Sequence, residues 1–201
     1  MDTNKAVAWL ADYAATISQH ATELTDLDRQ IGDADHGSNM ERGMKAVAAL
    51  EPAGFADAEA YLKKAAMTLV STVGGASGPL YGTFLLRFAA AVPADDSPAA
   101  MAAAGRAGLD GVVARGKAGP GDKTLVDVLQ PAVEAMEAGH ASLPDCLAAG
   151  LAAARKGSED AVPLVARKGR ASYLGERSAH HADPGAASMT LLLECAARTL
   201  A

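Results

Sequence analysis

Apolar residues recur at steps of three and four along almost the whole chain, a period that a helix buries on one face and a strand cannot. Val7, Leu10, Ala14 and Ile17 mark a first face, and Met40, Met44, Val47 and Ala48 a second. Leu62, Ala66, Leu69, Val70 and Val73 give a third, and Leu80, Phe84 and Phe88 a fourth. A fifth, alanine-rich segment runs from Pro98 to Arg115. Leu125, Val128, Leu129, Ala132, Val133 and Met136 form the sixth, which Pro131 is expected to kink. Leu143, Cys146, Leu147, Gly150, Leu151 and Ala154 form the seventh, and Met189, Leu192, Leu193, Ala196 and Leu200 the last. Pro163-Leu164-Val165 is too short to count as a strand. The expectation is a single all-α domain over residues 1–201: a barrel or bundle of about eight antiparallel amphipathic helices with short connections. Glu159 to Asp183 shows no helical period and reads as one long loop, a kind that is functional or disordered.

Half of the residues are apolar but only 4% are aromatic, so the core must be built from small side chains on closely spaced helices. The net charge of −6 argues against nonspecific binding to nucleic acid, which needs cationic patches. It also means that a phosphate ligand requires metal ions or local donors to offset repulsion. No stretch reaches the roughly 18 uninterrupted apolar residues of a membrane span. Met1-Asp2-Thr3-Asn4-Lys5 has neither a basic start nor an apolar signal core, so a cytoplasmic protein is expected. Cys146 and Cys195 sit in apolar helical patterns and read as reduced core residues.

Chemistry concentrates at four joints. The first, Leu27 to Asn39, carries Asp28, Asp33 and Asp35. In an extended segment Asp33 and Asp35 would point to one side, with Asp28 reaching back from the preceding helix. Hard oxygen ligands on a compact turn suit Mg²⁺, whose shell is completed by water and phosphate. Gly32 and Gly37 would permit tight backbone geometry. Ser38 and Glu41 form a capping box, so a helix is expected to start there with its positive end at the same spot. A solvated acidic turn with a cap is the alternative. The second joint, Gly74-Gly75-Ala76-Ser77-Gly78-Pro79, is either a phosphate cradle or a flexible turn, with Pro79 at the first helical position. The third, Gly116 to Thr124, resembles a P-loop without being one, because Asp122 separates Gly121 from Lys123 and a helix rather than a strand precedes it. It reads as a nucleotide wall or as a Thr124-x-x-Asp127 helix cap. The fourth is the long loop, where Arg167, Lys168, Arg170 and Arg177 gather as a lid over phosphate, a surface for an acidic partner, or a solvated loop. His180 and His181 are adjacent, point apart, and make a poor metal pair.

Together these joints resemble the dihydroxyacetone kinase family, specifically its nucleotide-binding L subunits or domains. The matching pieces are Leu-Asp-x4-Asp-x-Asp-His-Gly at 27–37, Gly-Gly-Ala-Ser-Gly-Pro-Leu-Tyr-Gly-Thr at 74–83 and Gly-Asp-Lys-Thr-Leu at 121–125. Lys-Gly-Arg-Ala-Ser-Tyr-Leu-Gly-Glu-Arg-Ser at 168–178, followed by Asp183-Pro184-Gly185, completes the set. They cover nearly the whole chain in order. Two departures are Ala34, where the family more often has Gly, and Leu125, where Met is common. Ala34 is therefore expected to avoid a glycine-only backbone angle, and Leu125 to keep an apolar contact with adenine.

The resemblance implies an antiparallel eight-helix barrel with ADP or ATP at one end. By it, Asp28, Asp33 and Asp35 ligate two Mg²⁺ ions. His36, Gly37, Ser38, Asn39, Ala76 and Ser77 line the phosphate end, and Gly116, Leu125, Arg170, Asp183, Pro184 and Gly185 enclose the nucleoside. It assigns no catalytic acid or base to this chain. Implied partners are a dihydroxyacetone-binding K subunit and a phosphocarrier M subunit that recharges ADP from phosphoenolpyruvate. Relatives also include split ATP-dependent ketose kinases and subunits whose nucleotide state signals to transcription regulators.

Overall fold

The eight apolar stripes become eight α-helices. A computed structural model describes residues 1–92 and 96–201, with no strand among them. The helices are α1 (Thr3–Ile31), α2 (His36–Ala48), α3 (Ala58–Thr72), α4 (Ser77–Ala90), α5 (Pro98–Gly116), α6 (Val126–Glu137), α7 (Leu143–Ala161) and α8 (Pro184–Thr199). Short 3₁₀ segments cover Pro52–Gly54 and Arg170–Ser178. Each helix packs on its successor, and α8 returns to α1, so the antiparallel helices close into a barrel.

A few large aromatic side chains sit among the aliphatic residues of the interior. Trp9 of α1 meets Phe88 of α4 at 5.4 Å between ring centroids, and Phe88 stacks on Phe84. The seam between α1 and α8 is fixed by polar groups that keep the aromatic bodies in the core. Trp9 Nε1 donates to the Leu192 carbonyl at 3.1 Å, and the Tyr13 hydroxyl to the Ser188 carbonyl at 3.0 Å. Cys146 and Cys195 are free and buried, and burial pushes the Cys195 thiol up to about 11.

Several local expectations fail for physical reasons. The capping box at Ser38 does not form. Helix α2 begins at His36, Asp35 occupies the cap position, and the Ser38 hydroxyl donates back to the Asp35 carbonyl. Pro79 is the third residue of α4 rather than the first, still within the turn whose N–H groups have no helical acceptor. By contrast, Pro131 lies inside α6, as its place in the sixth stripe implied. The long loop is shorter than its composition suggests, because α7 continues to Ala161 and residues 170–178 coil into 3₁₀ turns.

Gly37 sets the spacing of α1 and α2. A Cβ there would lie 1.9 Å from the Ala21 carbonyl oxygen and 2.5 Å from Thr25 Oγ1. Gly37→Ala is expected to cost about 1–3 kcal/mol by overpacking, at roughly 2–4 °C of Tm per kcal/mol for a chain of this size. Gly54→Ala, with nothing within 4 Å of the added Cβ, should leave the thermal unfolding curve in place.

Candidate functional site

Odd-numbered helices end, and even-numbered helices begin, at the same end of the barrel. The last turn of α1 and the starts of α2, α4, α6 and α8 surround a cavity of about 430 Å³. Five helices, α1, α3, α5, α7 and α8, are capped by the side chain of their own N-cap residue. At α2, α4 and α6 the N-cap residue makes no such bond, and all three start on the cavity. Their positive ends make this the part of an acidic protein best suited to an anion.

The three aspartates converge here. Ligand oxygens of Asp28, Asp33 and Asp35 lie within 4.8 Å of one another. Asp28 sits in the last turn of α1 and is buried, and its Oδ2 accepts from the backbone N–H groups of Asp35 (2.7 Å) and His36 (3.1 Å). That grip orients the carboxylate and ties the end of α1 to the start of α2. Gly32 is required by space rather than by backbone angle, since a Cβ would fall 2.0 Å from Asp28 Oδ1. The segment is not extended as its spacing suggested. Ala34 takes φ +61, and this left-handed residue swings Asp33 and Asp35 to one side. The expectation that Ala34 avoids such an angle is overturned, and the reason glycine suits the position is now visible. Three close carboxylates repel, and an arrangement of hard oxygens around one point fits a divalent cation such as Mg²⁺. Arg170 offsets part of the repulsion, with its Nη2 3.1 Å from Asp33 Oδ2.

His36 is buried behind the trio. Its Nε2 lies 2.7 Å from Ser188 Oγ and its Nδ1 3.2 Å from Ser77 Oγ. Ser188 Oγ donates to the Pro184 carbonyl at 2.9 Å, so it accepts from His36 Nε2–H and leaves Nδ1 to accept from Ser77. Burial lowers the His36 pKa against the opposing pull of Asp28 and Asp35, so the ring is neutral at pH 7. Tyr81 joins the network at 2.8 Å from Ser188 Oγ, and burial pushes its phenol well above the usual range.

The cavity wall collects Gly74, Gly75, Ala76, Ser77, Leu80, Val112, Arg115, Gly116, Ala118, Thr124, Leu125, Val126, Lys168, Arg170, Asp183, Pro184 and Gly185. Of the residues singled out in the sequence, Gly37, Ser38 and Asn39 do not line it. Gly37 packs on α1, Ser38 faces solvent, and Asn39 sits behind Gly74 and accepts from Arg42. Thr124 and Asp127 do cap α6: Asp127 accepts from Thr124 N–H, and Thr124 Oγ1 from Val126 N–H. His181 bonds to Gln30, and among the described residues the trio is the metal-capable cluster.

Sequence reasoning missed two supports. Ser188 shares the inward face of α8 with Leu192 and Cys195; a polar residue in that register was the available signal. Lys123 is 1% exposed, and its ammonium donates to the Val162 and Leu164 carbonyls at 2.6 and 2.9 Å. Its apparent P-loop context hid a structural role, because the side chain is not part of the cavity lining and fastens the 162–164 segment to the wall.

A family model described as the DAK2 domain matches residues 30–198. The chain belongs to the DAK2 domain family. This DAK2 chain is 45% identical over 201 residues to the PEP-dependent dihydroxyacetone kinase, ADP-binding subunit DhaL, of Escherichia coli (strain K12), covering 96% of this chain and 95% of that protein. It is 43% identical over 203 residues to the ADP-binding subunit DhaL of PEP-dependent dihydroxyacetone kinase 1 of Listeria innocua, covering 98% and 97% respectively. The dihydroxyacetone kinase of C. freundii has the same fold, with a TM-score of 0.75 in its native form and 0.70 in complex with AMP-PNP and Mg²⁺, both at 26% identity. Those alignments cover 96% of the DAK2 chain, which spans only about a third of that kinase, 34% and 33%.

Two predictions follow from the backbone and the wall. Ala34→Gly should relieve a left-handed alanine, raising stability by about 1 kcal/mol and Tm by roughly 2–4 °C, measured calorimetrically. Asp183 caps Ala186 N–H at 2.7 Å and is pushed up to about 7, chiefly by burial, with Asp127 and Asp28 adding to the rise and Lys123 opposing it. The folded carboxyl keeps its proton where the unfolded one, at the ordinary 3.8, has lost it. Its contribution to stability is complete below 3.8 and is lost as pH rises through about 7. In metal-free protein, Asp183→Asn should therefore flatten the fall of Tm across that window.

Proposed function

We propose that this chain is the nucleotide-binding subunit of a phosphoenolpyruvate-dependent dihydroxyacetone kinase, working in the cytoplasm. The observation that carries the reading is the convergence of Asp28, Asp33 and Asp35 with the starts of α2, α4 and α6 on one cavity. Relatives covered along nearly their whole length are named as ADP-binding subunits of that kinase.

In this reading Asp28, Asp33 and Asp35 would hold two Mg²⁺, which would neutralise charge on the phosphates of ADP or ATP and on the transition state. The chain's own residues supply position. Asp28 is fixed by two backbone donors, so the trio stays aimed at the cavity. His36, neutral and held by Ser77 and Ser188, buttresses the start of α2 and needs no proton-transfer role. Leu80, Val112, Ala118 and Leu125 offer an apolar floor to the base, and Asp183 to Gly185 close the nucleoside side. Arg170, already paired with Asp33, adds a cation at the phosphate end. The γ-phosphoryl group passes to dihydroxyacetone held on a separate K subunit, and an M subunit recharges ADP in place.

Titration calorimetry tests the nucleotide reading. ADP should bind tightly with Mg²⁺ and weakly in chelator, and Asp28→Ala or Asp33→Ala should weaken Mg-ADP binding by roughly 100-fold or more, beyond the 10–100-fold typical for groups that only support a metal ligand. Affinity equal to wild type in these variants would defeat the metal-mediated site.

A further inference from the structure

Ser188 is 0% exposed on the inward face of α8, in register with the apolar Leu192 and Cys195. A hydroxyl placed there costs stability unless its bonding positions are used. All of them are. Ser188 Oγ lies 2.9 Å from the Pro184 carbonyl oxygen, 2.7 Å from His36 Nε2 and 2.8 Å from the Tyr81 hydroxyl. One proton and two lone pairs thus meet three partners, on α8, α2 and α4.

The direction of those bonds sets a hydrogen further away. With a neutral His36 ring, two arrangements of protons are open. In the first, Ser188 donates to the Pro184 carbonyl four residues back, a bond that serine makes readily inside helices, and accepts from Tyr81 and from His36 Nε2–H. His36 Nδ1, 3.2 Å from Ser77 Oγ, then accepts the Ser77 proton. In the second, Ser188 donates to Nε2, Nδ1–H donates to Ser77, and the Pro184 carbonyl loses the hydroxyl. The first arrangement makes four bonds, Ser188 to Pro184, Tyr81 to Ser188, His36 to Ser188 and Ser77 to His36, and the second makes three. One buried bond is worth about fivefold in the ratio of the two.

The consequence reaches the cavity. Ser77 begins α4 on the cavity wall, and its only proton is spent on a buried nitrogen. Its oxygen therefore offers the cavity lone pairs alone, which repel a phosphate oxygen and accept from water on a divalent cation. We infer that Ser188 is a positioning residue: it fixes the His36 tautomer and, through that ring, holds Ser77 as an acceptor toward the hydration shell of a bound cation rather than as a donor to phosphate. The effect on nucleotide rests on the proposed Mg-nucleotide site, whereas the tautomer is independent of what the cavity binds.

Nitrogen-15 NMR of the imidazole rings in the full chain reads the tautomer directly. Wild type is expected to carry its His36 proton on Nε2, and a proton found on Nδ1 overturns the proposal without any variant. Ser188→Ala should move the proton to Nδ1, where Ser77 is the remaining acceptor. By titration calorimetry the same variant should bind Mg-ADP about tenfold more weakly, the lower end of what a group behind a metal site costs, and should bind ADP in chelator as wild type does. Ser188→Thr keeps the hydroxyl and should restore both the tautomer and the affinity. Tyr13→Phe removes the bond to the Ser188 carbonyl but not the Ser188 hydroxyl, so it should lower Tm and change neither readout. An equal loss of affinity with and without Mg²⁺ in Ser188→Ala would report a loosened wall at Pro184 and Gly185 and overturn the positioning role. A wild-type chain that shows the expected tautomer yet binds no Mg-ADP overturns the nucleotide reading and leaves the hold of Ser188 on the ring standing.

Discussion

Three carboxylates within 4.8 Å of one another cannot sit together without something to hold them, and the cavity end of this barrel is arranged around that fact. The chain supplies the restraint in backbone rather than in side chains. Asp28 is buried in the last turn of α1, and two N–H groups from the start of α2 grip one of its oxygens. The same bonds close the α1–α2 connection, so the spacing of two helices and the aim of a ligand are one piece of geometry. Gly32 and Gly37 belong to it as well: one leaves room for the Asp28 carboxylate and the other lets α2 approach the α1 backbone.

An anionic protein can receive an anionic ligand there because the barrel topology sorts its dipoles. An up-and-down ring of eight helices must put four starts at each end. The starts at the cavity are those of α2, α4, α6 and α8, of which only α8 is capped by its own N-cap side chain. The starts at the opposite end are all capped, by Asp2, Asp57, Ser97 and Ser142. Capping by the N-cap residue is thus complete at the end where no ligand is expected, whereas at the cavity end Asp28, Thr124 and Asp127 meet the first N–H groups of α2 and α6 from neighbouring positions, and the N-cap residue of α4 makes no side-chain bond. Lys123 completes the arrangement from behind. By binding the Val162 and Leu164 carbonyls it joins the wall that carries Leu125 to the root of the segment that carries Arg170.

The helices were legible because their stripes are long and regular, from Leu62 to Val73 or from Leu143 to Ala154, and burial on one face leaves no other solution. The trio was legible because Asp28, Asp33 and Asp35 are close in sequence as well as in space. What sequence spacing could not show was how the backbone between them turns. Ser38 and Glu41 matched a capping pattern, yet the Asp28 carboxylate supplies the grip at the start of α2, and that contact spans eight residues. Gly37, Ser38 and Asn39 follow His36 in the motif, but one turn of helix rotates them onto α1, into solvent and behind Gly74. Lys123 and Ser188 escaped notice because their partners lie 39 to 152 residues away.

The distribution of backbone strain supports the same division between scaffold and site. Among the described residues, the non-glycine positions with positive φ are Ala34, Lys117, Lys123 and His180, and each lies in a joint at the cavity end. Such conformations persist only where the surroundings over-determine them. Each here has an identifiable restraint: the Asp28 grip on the residue after Ala34, the Lys117 N–H bond to the Val113 carbonyl, the buried Lys123 ammonium, and the His180 N–H bond to the Val162 carbonyl. The closely packed core of Trp9, Phe84 and Phe88 therefore stabilises a set of joints that would not hold their shape alone. Strain concentrated at one end and satisfied packing elsewhere fits a preformed site; the left-handed angle at position 34 serves that site, whereas the alanine that holds it does not, since glycine would keep the same turn at lower cost.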